Sequence, residues 1–255
     1  MSILLRHREG NVEVITLNRP ERRNALSQEL MEALSVALAD AELSDEVRVI
    51  VLTATGDQAF CSGMDLKDFA TPSVETEPNS TEYFDAFLSG RYPKPVIAAV
   101  NATAVAGGFE LMMACDLAVV AEGARFGLPE VKRGLFPAGS GVLLPARIPL
   151  SIALELGLTG ELINAGRAYQ LGLVNRVVTA EAVLTTALEL ANRIAENGPL
   201  GVQATKKLML LCAGEGASAA RAEIKVAVDR VFTSCDAREG AKAFAEKRPP
   251  RWTGR

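Results

Sequence analysis

The stretch PVIAAVNATAVAGGFELMMACDLAVVA, residues 95–121, decides the fold. It opens on one short apolar run, Pro95–Val100, and closes on another, Leu117–Ala121. Near-continuous apolar runs of this length read as strands buried on both faces, as in parallel sheets. Between them Gly107-Gly108 leads into a helix expected from Phe109 to Cys115. A strand, a glycine turn, a helix and a second strand make a parallel crossover. Asn101, Glu110 and Asp116 interrupt the apolar sequence, so it reads as buried core. A membrane span needs about 20 apolar residues with few or no charges.

Upstream, Val12–Leu17 and Val47–Thr53 are strands of the same kind. A helix is predicted over Ser27–Leu43, with Ser27 as N-cap and Glu29 and Glu32 suited to its first turn. Leu30, Leu34, Ala37, Leu38 and Ala41 mark its buried face. The polar segment Thr71–Ser80 (TPSVETEPNS) reads as a mobile surface loop in the position of a lid. Beyond Pro149 the spacing is helical over 150–158, 165–171, 180–197, 200–211, 217–232 and 237–247, with one short strand at 173–177. The expected division is a β-rich core, 1–195, and a helical C-terminal region, 196–255. No internal repeat is visible in the sequence.

Composition narrows the function. The chain has 255 residues, 27 basic against 31 acidic, and a formal net charge of -4. That balance disfavours broad nucleic-acid binding, which needs a cationic surface. The single histidine, His7, excludes chemistry built on clustered histidines, including Ser-His-Asp triads. Cys61, Cys115, Cys212 and Cys235 are far apart and form no C-x-x-C pair. With no signal-peptide pattern in MSILLRHREG, the expectation is a reduced, cytoplasmic protein without a metal. Dinucleotide and nucleoside-triphosphate loops are missing, since Gly139-Ser140-Gly141 continues as VLL.

Three segments carry candidate chemistry. AFCSGMDLK, residues 59–67, follows a buried strand, and Gly63 allows the Met64 amide to face a ligand. The plain alternative is a strand-to-loop turn. In the second segment, Gly107 opens a helix whose first amides are unpaired and partially positive. Glu110 lies in that first turn among Phe109, Leu111, Met112 and Met113. It reads either as a helix-start acid or as a carboxylate whose pKa is raised by apolar neighbours. In the third, Phe126–Val131, Pro129 fixes the direction of Glu130. Paired with Glu110, it could share proton transfers. Basic residues near the C-terminus read as a solvated face or a phosphate clamp.

These segments, with Asn18-Arg19-Pro20, Asn24-Ala25-Leu26 and the C-terminal FAEKR, resemble the crotonase (enoyl-CoA hydratase/isomerase) superfamily over residues 12–247. The resemblance implies an α/β superhelix of β-β-α units with a helical C-terminal trimerisation region, assembled as a homotrimer or a dimer of trimers. It implies acyl-coenzyme A thioester substrates and no prosthetic group, metal, nucleic acid or membrane. The amides of Met64 and Gly107 correspond to an oxyanion hole, and Glu110 and Glu130 to the hydratase carboxylates, twenty residues apart as in that pattern. The coenzyme A moiety is expected near Arg23, Ala25, Ser62, Asp65, Leu66 and Lys67, with Phe244 and Lys247 reaching a neighbouring subunit's ligand.

The implied reaction is reversible hydration of trans-2-enoyl-CoA to 3-hydroxyacyl-CoA in fatty-acid β-oxidation or related catabolism. Carnitinyl-CoA dehydration, which the ending FAEKRPPRWTGR resembles, and enoyl-CoA isomerisation are the alternatives. RNA binding is the non-enzymatic one, disfavoured by an early helix that is acidic and lacks lysine. Ala106 stands where the hydratases carry a first glycine, Met64 where many have alanine, and Ser140 interrupts a glycine run.

Overall fold

A computed structural model describes residues 2–66 and 80–255. A six-stranded sheet runs in the order β1 (Leu4–Glu9), β2 (Val12–Leu17), β3 (Val49–Ala54), β5 (Val96–Val100), β7 (Leu117–Ala121) and β10 (Arg176–Val178). A four-stranded sheet joins β4 (Ala59–Cys61), β6 (Thr103–Val105), β8 (Arg125–Gly127) and β9 (Ile163–Asn164). Only β1–β2 and β8–β9 are antiparallel. Every residue of β3 and β5 is buried, as their near-continuous apolar runs require of central parallel strands.

The chain alternates between the sheets. β3, β5 and β7 each hand over to a short strand, β4, β6 or β8, before the chain returns along a helical segment. This is the β-β-α superhelix, a structural repeat without a repeated sequence. The smaller sheet escaped the sequence reading because its strands are only two or three residues long. β1 escaped because Arg6, His7, Arg8 and Glu9 of this edge strand face solvent. The strand expected at 173–177 lies at Arg176–Val178. Leu173 and Val174 are instead buried in the turn before it, and Asn175 bonds both ways with the backbone of Ala118.

Helix α1 (Gln28–Leu43) has Ser27 as its cap, accepting from Leu30 N, and buries all five expected apolar positions. Next come α2 (Glu82–Leu88) and α3 (Gly107–Ala114); the latter starts two residues earlier than predicted. Then α4 (Leu150–Thr159), α5 (Ala165–Gln170) and α6 (Val183–Ala195) follow. Val183, Ala187, Ala191 and Ala195 of α6 form a buried i, i+4 stripe.

The last three helices are α7 (Pro199–Glu215), α8 (Ala217–Phe232) and α9 (Cys235–Glu246). α7 reaches the core through Lys206, which donates to Lys94 O (2.8 Å) and pairs with Asp116 (2.7 Å). Asp116 also accepts from Val96 N, so one carboxylate ties α7 to the start of β5.

Candidate active site

The site forms where the end of β4 meets the start of α3. Leu26 and Met64 make an isolated parallel bridge: Leu26 N donates to Gly63 O (2.8 Å) and Asp65 N donates to Leu26 O (2.9 Å). Successive amides in an extended segment point to opposite sides. The Met64 N–H therefore faces away from Leu26, toward α3. There Ala106, at φ 52° and ψ -132°, turns the chain, and its carbonyl accepts from Phe109 N and Glu110 N. The Gly107 amide is left in the unpaired first turn.

The two amides are neighbours. A Cβ on Gly107 would stand 3.6 Å from Met64 N, and one on Gly63 would stand 3.1 Å from Gly107 N. Gly63 also has φ +92°, which a larger residue resists. Gly108 fixes the approach of helix to strand, because a Cβ there would be 2.1 Å from Cys61 O. Among the described residues neither the Met64 nor the Gly107 N–H has a hydrogen-bond acceptor.

The Asn-Arg-Pro and Asn-Ala-Leu motifs build the other wall. Asn24, fully buried, donates through Nδ2 to Thr55 O and Ala59 O and accepts from Arg19 N. Arg19 donates to Ala25 O (2.6 Å) and pairs with Asp65 (3.2 Å). Ser62 N donates to Arg23 O. Arg23, Ala25, Ser62, Met64, Asp65 and Leu66 thus share one patch. The buried Asp65 carboxylate faces Arg19, while Arg23, Met64 and Leu66 are exposed.

Lys67 and residues 71–79 of the expected lid loop lie outside the described residues. Phe244 is exposed on α9 and Lys247 caps that helix at φ 53°. Neither hydrogen-bonds to this patch within the described residues of the chain.

Glu110 shares the first turn of α3 with the Gly107 amide, and Glu130 follows β8, which pairs with β6. Glu110 is buried in the first turn of α3, and its Oε1 accepts from Gly139 N (3.1 Å) and Gly141 N (2.8 Å). Burial pushes its carboxyl above the ordinary range, and the two amides partly oppose that shift. Glu130 follows Pro129 at the start of the 3-10 turn Pro129–Arg133. Its pKa is also raised, first by burial and then by the charge of Glu110, with Arg133 opposing. Glu130 thus lies within the field of Glu110. Glu130 Oε2 is buried without a hydrogen-bond partner among the described residues. A carboxylate oxygen left so is expensive unless something else meets it.

The structure makes the Met64 and Gly107 amides neighbours and puts Glu130 within the field of Glu110, and it adds supports that the sequence reading missed. Arg19, Asn24, Gly108, Gly139 and Gly141 act through contacts that close only in three dimensions. The broken glycine run at 139–141 was visible, but nothing in its spacing tied it to a glutamate some thirty residues earlier. A cavity of about 780 Å³ among α7, α8, α9 and Trp252 is lined by none of the four central residues.

Two neighbouring amides and two partly buried carboxylates thus sit on a β-β-α superhelix. Residues 7–255 match the family model described as enoyl-CoA hydratase/isomerase. Enoyl-CoA hydratase EchA19 of Mycobacterium tuberculosis is 40% identical over 97% of this chain and 95% of its own. Carnitinyl-CoA dehydratase of Proteus mirabilis is 38% identical over 96% of each chain. The crystal structure of enoyl-CoA hydratase EchA1 from Mycobacterium marinum superposes with a TM-score of 0.90 at 42% identity, covering 99% of both chains. The chain belongs to the enoyl-CoA hydratase/isomerase family.

Proposed function

We propose that the protein is an enoyl-CoA hydratase that adds water reversibly to trans-2-enoyl-CoA, giving 3-hydroxyacyl-CoA, in fatty-acid or related acyl-CoA catabolism. The observation that carries this reading is the pair Glu110 and Glu130, both pushed up by burial, with Glu130 also raised by the charge of Glu110, beside the Met64 and Gly107 N–H groups, which have no acceptor among the described residues. The Met64 and Gly107 N–H groups receive the thioester oxygen as it gains negative charge. Glu110 orients the water and takes its proton as oxygen bonds to Cβ. Glu130 delivers a proton to Cα, a role supported by its buried Oε2, which has no hydrogen-bond partner among the described residues. Donors of the oxyanion type are each worth about 2.7–4 kcal/mol, and a placed acid or base roughly 10²–10⁴-fold. The backbone supplies the electrophile, so the reading calls for no prosthetic group; coenzyme A arrives as part of the substrate.

The coenzyme A moiety is assigned to Arg23, Ala25, Ser62, Asp65, Leu66 and Lys67, with Phe244 and Lys247 completing a neighbouring subunit's site. α7 buries no side chain, and α8 buries only Ala220. Met209, Ile224, Val226 and Phe232 remain exposed on these helices. This supports a 196–255 region that docks on other copies in a homotrimer or a dimer of trimers, beside a 1–195 core. No described helix is long and apolar enough to cross a membrane; the cytoplasm is the proposed location.

The test is loss of the conjugated enoyl-thioester absorbance when the protein meets crotonyl-CoA. Glu110→Gln and Glu130→Gln are each expected to lower kcat by at least about 10²-fold with the fold retained. Full activity in either variant removes that residue from the mechanism. The relative named carnitinyl-CoA dehydratase favours a second reading, dehydration of a trimethylammonium-bearing 3-hydroxyacyl-CoA. Turnover of carnitinyl-CoA but not 3-hydroxybutyryl-CoA selects it.

A further inference from the structure

The cradle that holds Glu110 is the two amides of the turn Gly139-Ser140-Gly141. Its glycines are crowded, Gly139 by the carboxylate and Gly141 also by Pro137, whose Cβ would stand 2.5 Å from an added Cβ. A Cβ on Gly139 would stand 2.8 Å from Glu110 Oε2, and one on Gly141 would stand 2.9 Å from Oε1. Two glycines flanking one residue leave the backbone loose. Ser140 is therefore the only member of the turn with a side chain that can anchor it.

That side chain has a fixed partner. Ser140 Oγ donates to Leu88 O at 2.7 Å. Leu88 is the last residue of α2, where carbonyls run out of helical donors. The carbonyls of Asp85, Ala86 and Phe87 take Ser89 N, Arg91 N and Gly90 N, and the Leu88 carbonyl takes the serine hydroxyl. α2 is itself firmly held. Ser35 Oγ accepts from Tyr83 N and Phe84 N at its start, and Phe84 and Phe87 are buried in the core. Beside the Ser140–Leu88 bond lies a cavity of about 120 Å³ lined by residues including Leu88, Met113 and Leu143. Packing there leaves the turn room to retreat, so the hydroxyl is its restraint on that side.

We propose that Ser140 is a positioning residue that pins the amide cradle of Glu110 to the end of α2, and so sets where Glu110 holds the water. The inference rests on the hydratase reading of Glu110. It adds a support on a residue that touches neither substrate nor water.

The test is a double-mutant cycle on crotonyl-CoA hydration. Ser140→Ala is expected to lower kcat roughly tenfold, the order of one lost hydrogen bond, with KM and Tm nearly unchanged. In a Glu110→Gln background the same change is expected to cost less than about twofold, because the group it positions is already gone. Should Ser140→Ala fail to fold, Ser140→Gly carries the same test, removing the hydroxyl without asking for space. An unimpaired hydroxyl-less variant, or an equal loss in both backgrounds, overturns the proposal. If Glu110→Gln is slow while the serine variant is normal, only the tether falls. If Glu110→Gln is itself fully active, the hydratase role of Glu110 falls with it.

Discussion

Two glycine turns serve the two halves of the proposed site, and they are constrained in different ways. At Ala106-Gly107-Gly108 the crowding is backbone against backbone: a Cβ on Gly108 meets the carbonyl of Cys61 at 2.1 Å. At Gly139-Ser140-Gly141 the near atoms of Gly139 are the carboxylate of Glu110, the free end of a side chain. Strand β4 cannot yield without dismantling the small sheet, whereas a carboxylate can rotate away. The electrophilic half is therefore part of the fold itself. The acid–base half is laid over a fold that would stand without it.

The largest effect expected from that difference is at Gly108. Gly108→Ala must push α3 off β4, an overpacking cost at or above the upper end of roughly 1–3 kcal/mol. We expect a sharp fall in soluble yield or in Tm, together with loss of activity, read by thermal melts and turnover. A variant that melts like the parent would show that the helix can slide, and the contrast between the turns would collapse.

Gly139→Ala is the matched experiment on the other side. The new methyl displaces the Glu110 carboxylate, so kcat should fall on the order of 10²-fold, with the melt shifted by only a few degrees. If both glycine variants lose stability equally, the second turn is as structural as the first.

The same contrast explains what the sequence could disclose. The parallel sheet was legible because β5 is apolar at every position and β3 at every position but Thr53. α1 was legible because its five apolar positions share a 3.6-residue period and Ser27 caps it. The smaller sheet was not, since two or three residues carry no period. Met64, Gly107, Glu110 and Glu130 could be proposed from the sequence because each sits at a strand end or helix start that is local in sequence. The second turn was seen only as a broken glycine run, because its purpose depends on a carboxylate from a different element. Likewise Asp65 suggested a ligand contact, and only the folded chain reveals that its carboxylate faces Arg19.

The pH profile probes the acid–base half more gently. Burial and the charge of Glu110 both raise the pKa of Glu130. In the dehydration direction Glu130 takes the Cα proton and must be unprotonated to act, so the acid limb of kcat/KM for 3-hydroxybutyryl-CoA dehydration should lie above the pH of about 4.3 of an ordinary glutamate. Glu110→Gln removes a negative neighbour and so lowers the Glu130 value. The residual activity of that variant should persist to lower pH than the parent's. A limb that stays in place, or moves upward, would mean the two carboxylates do not sense each other.

The smallest effect is at Ala106, and its sign is informative. Ala106 holds φ 52° and ψ -132°, a conformation that suits glycine and strains a residue with a Cβ by about 1–3 kcal/mol. Ala106→Gly relieves that strain but loosens the unfolded chain, at a cost of about 0.4–1 kcal/mol. The balance favours a rise of a few degrees in Tm, with hydration slowed by no more than about threefold. The methyl also packs toward Gly63, where a Cβ would meet it at 2.7 Å. If Tm instead falls and kcat drops by more than about tenfold, that methyl is the spacer that sets the distance between the Met64 and Gly107 amides. Rigidity in the electrophilic half would then come from a strained alanine as well as from the obligatory glycine beside it.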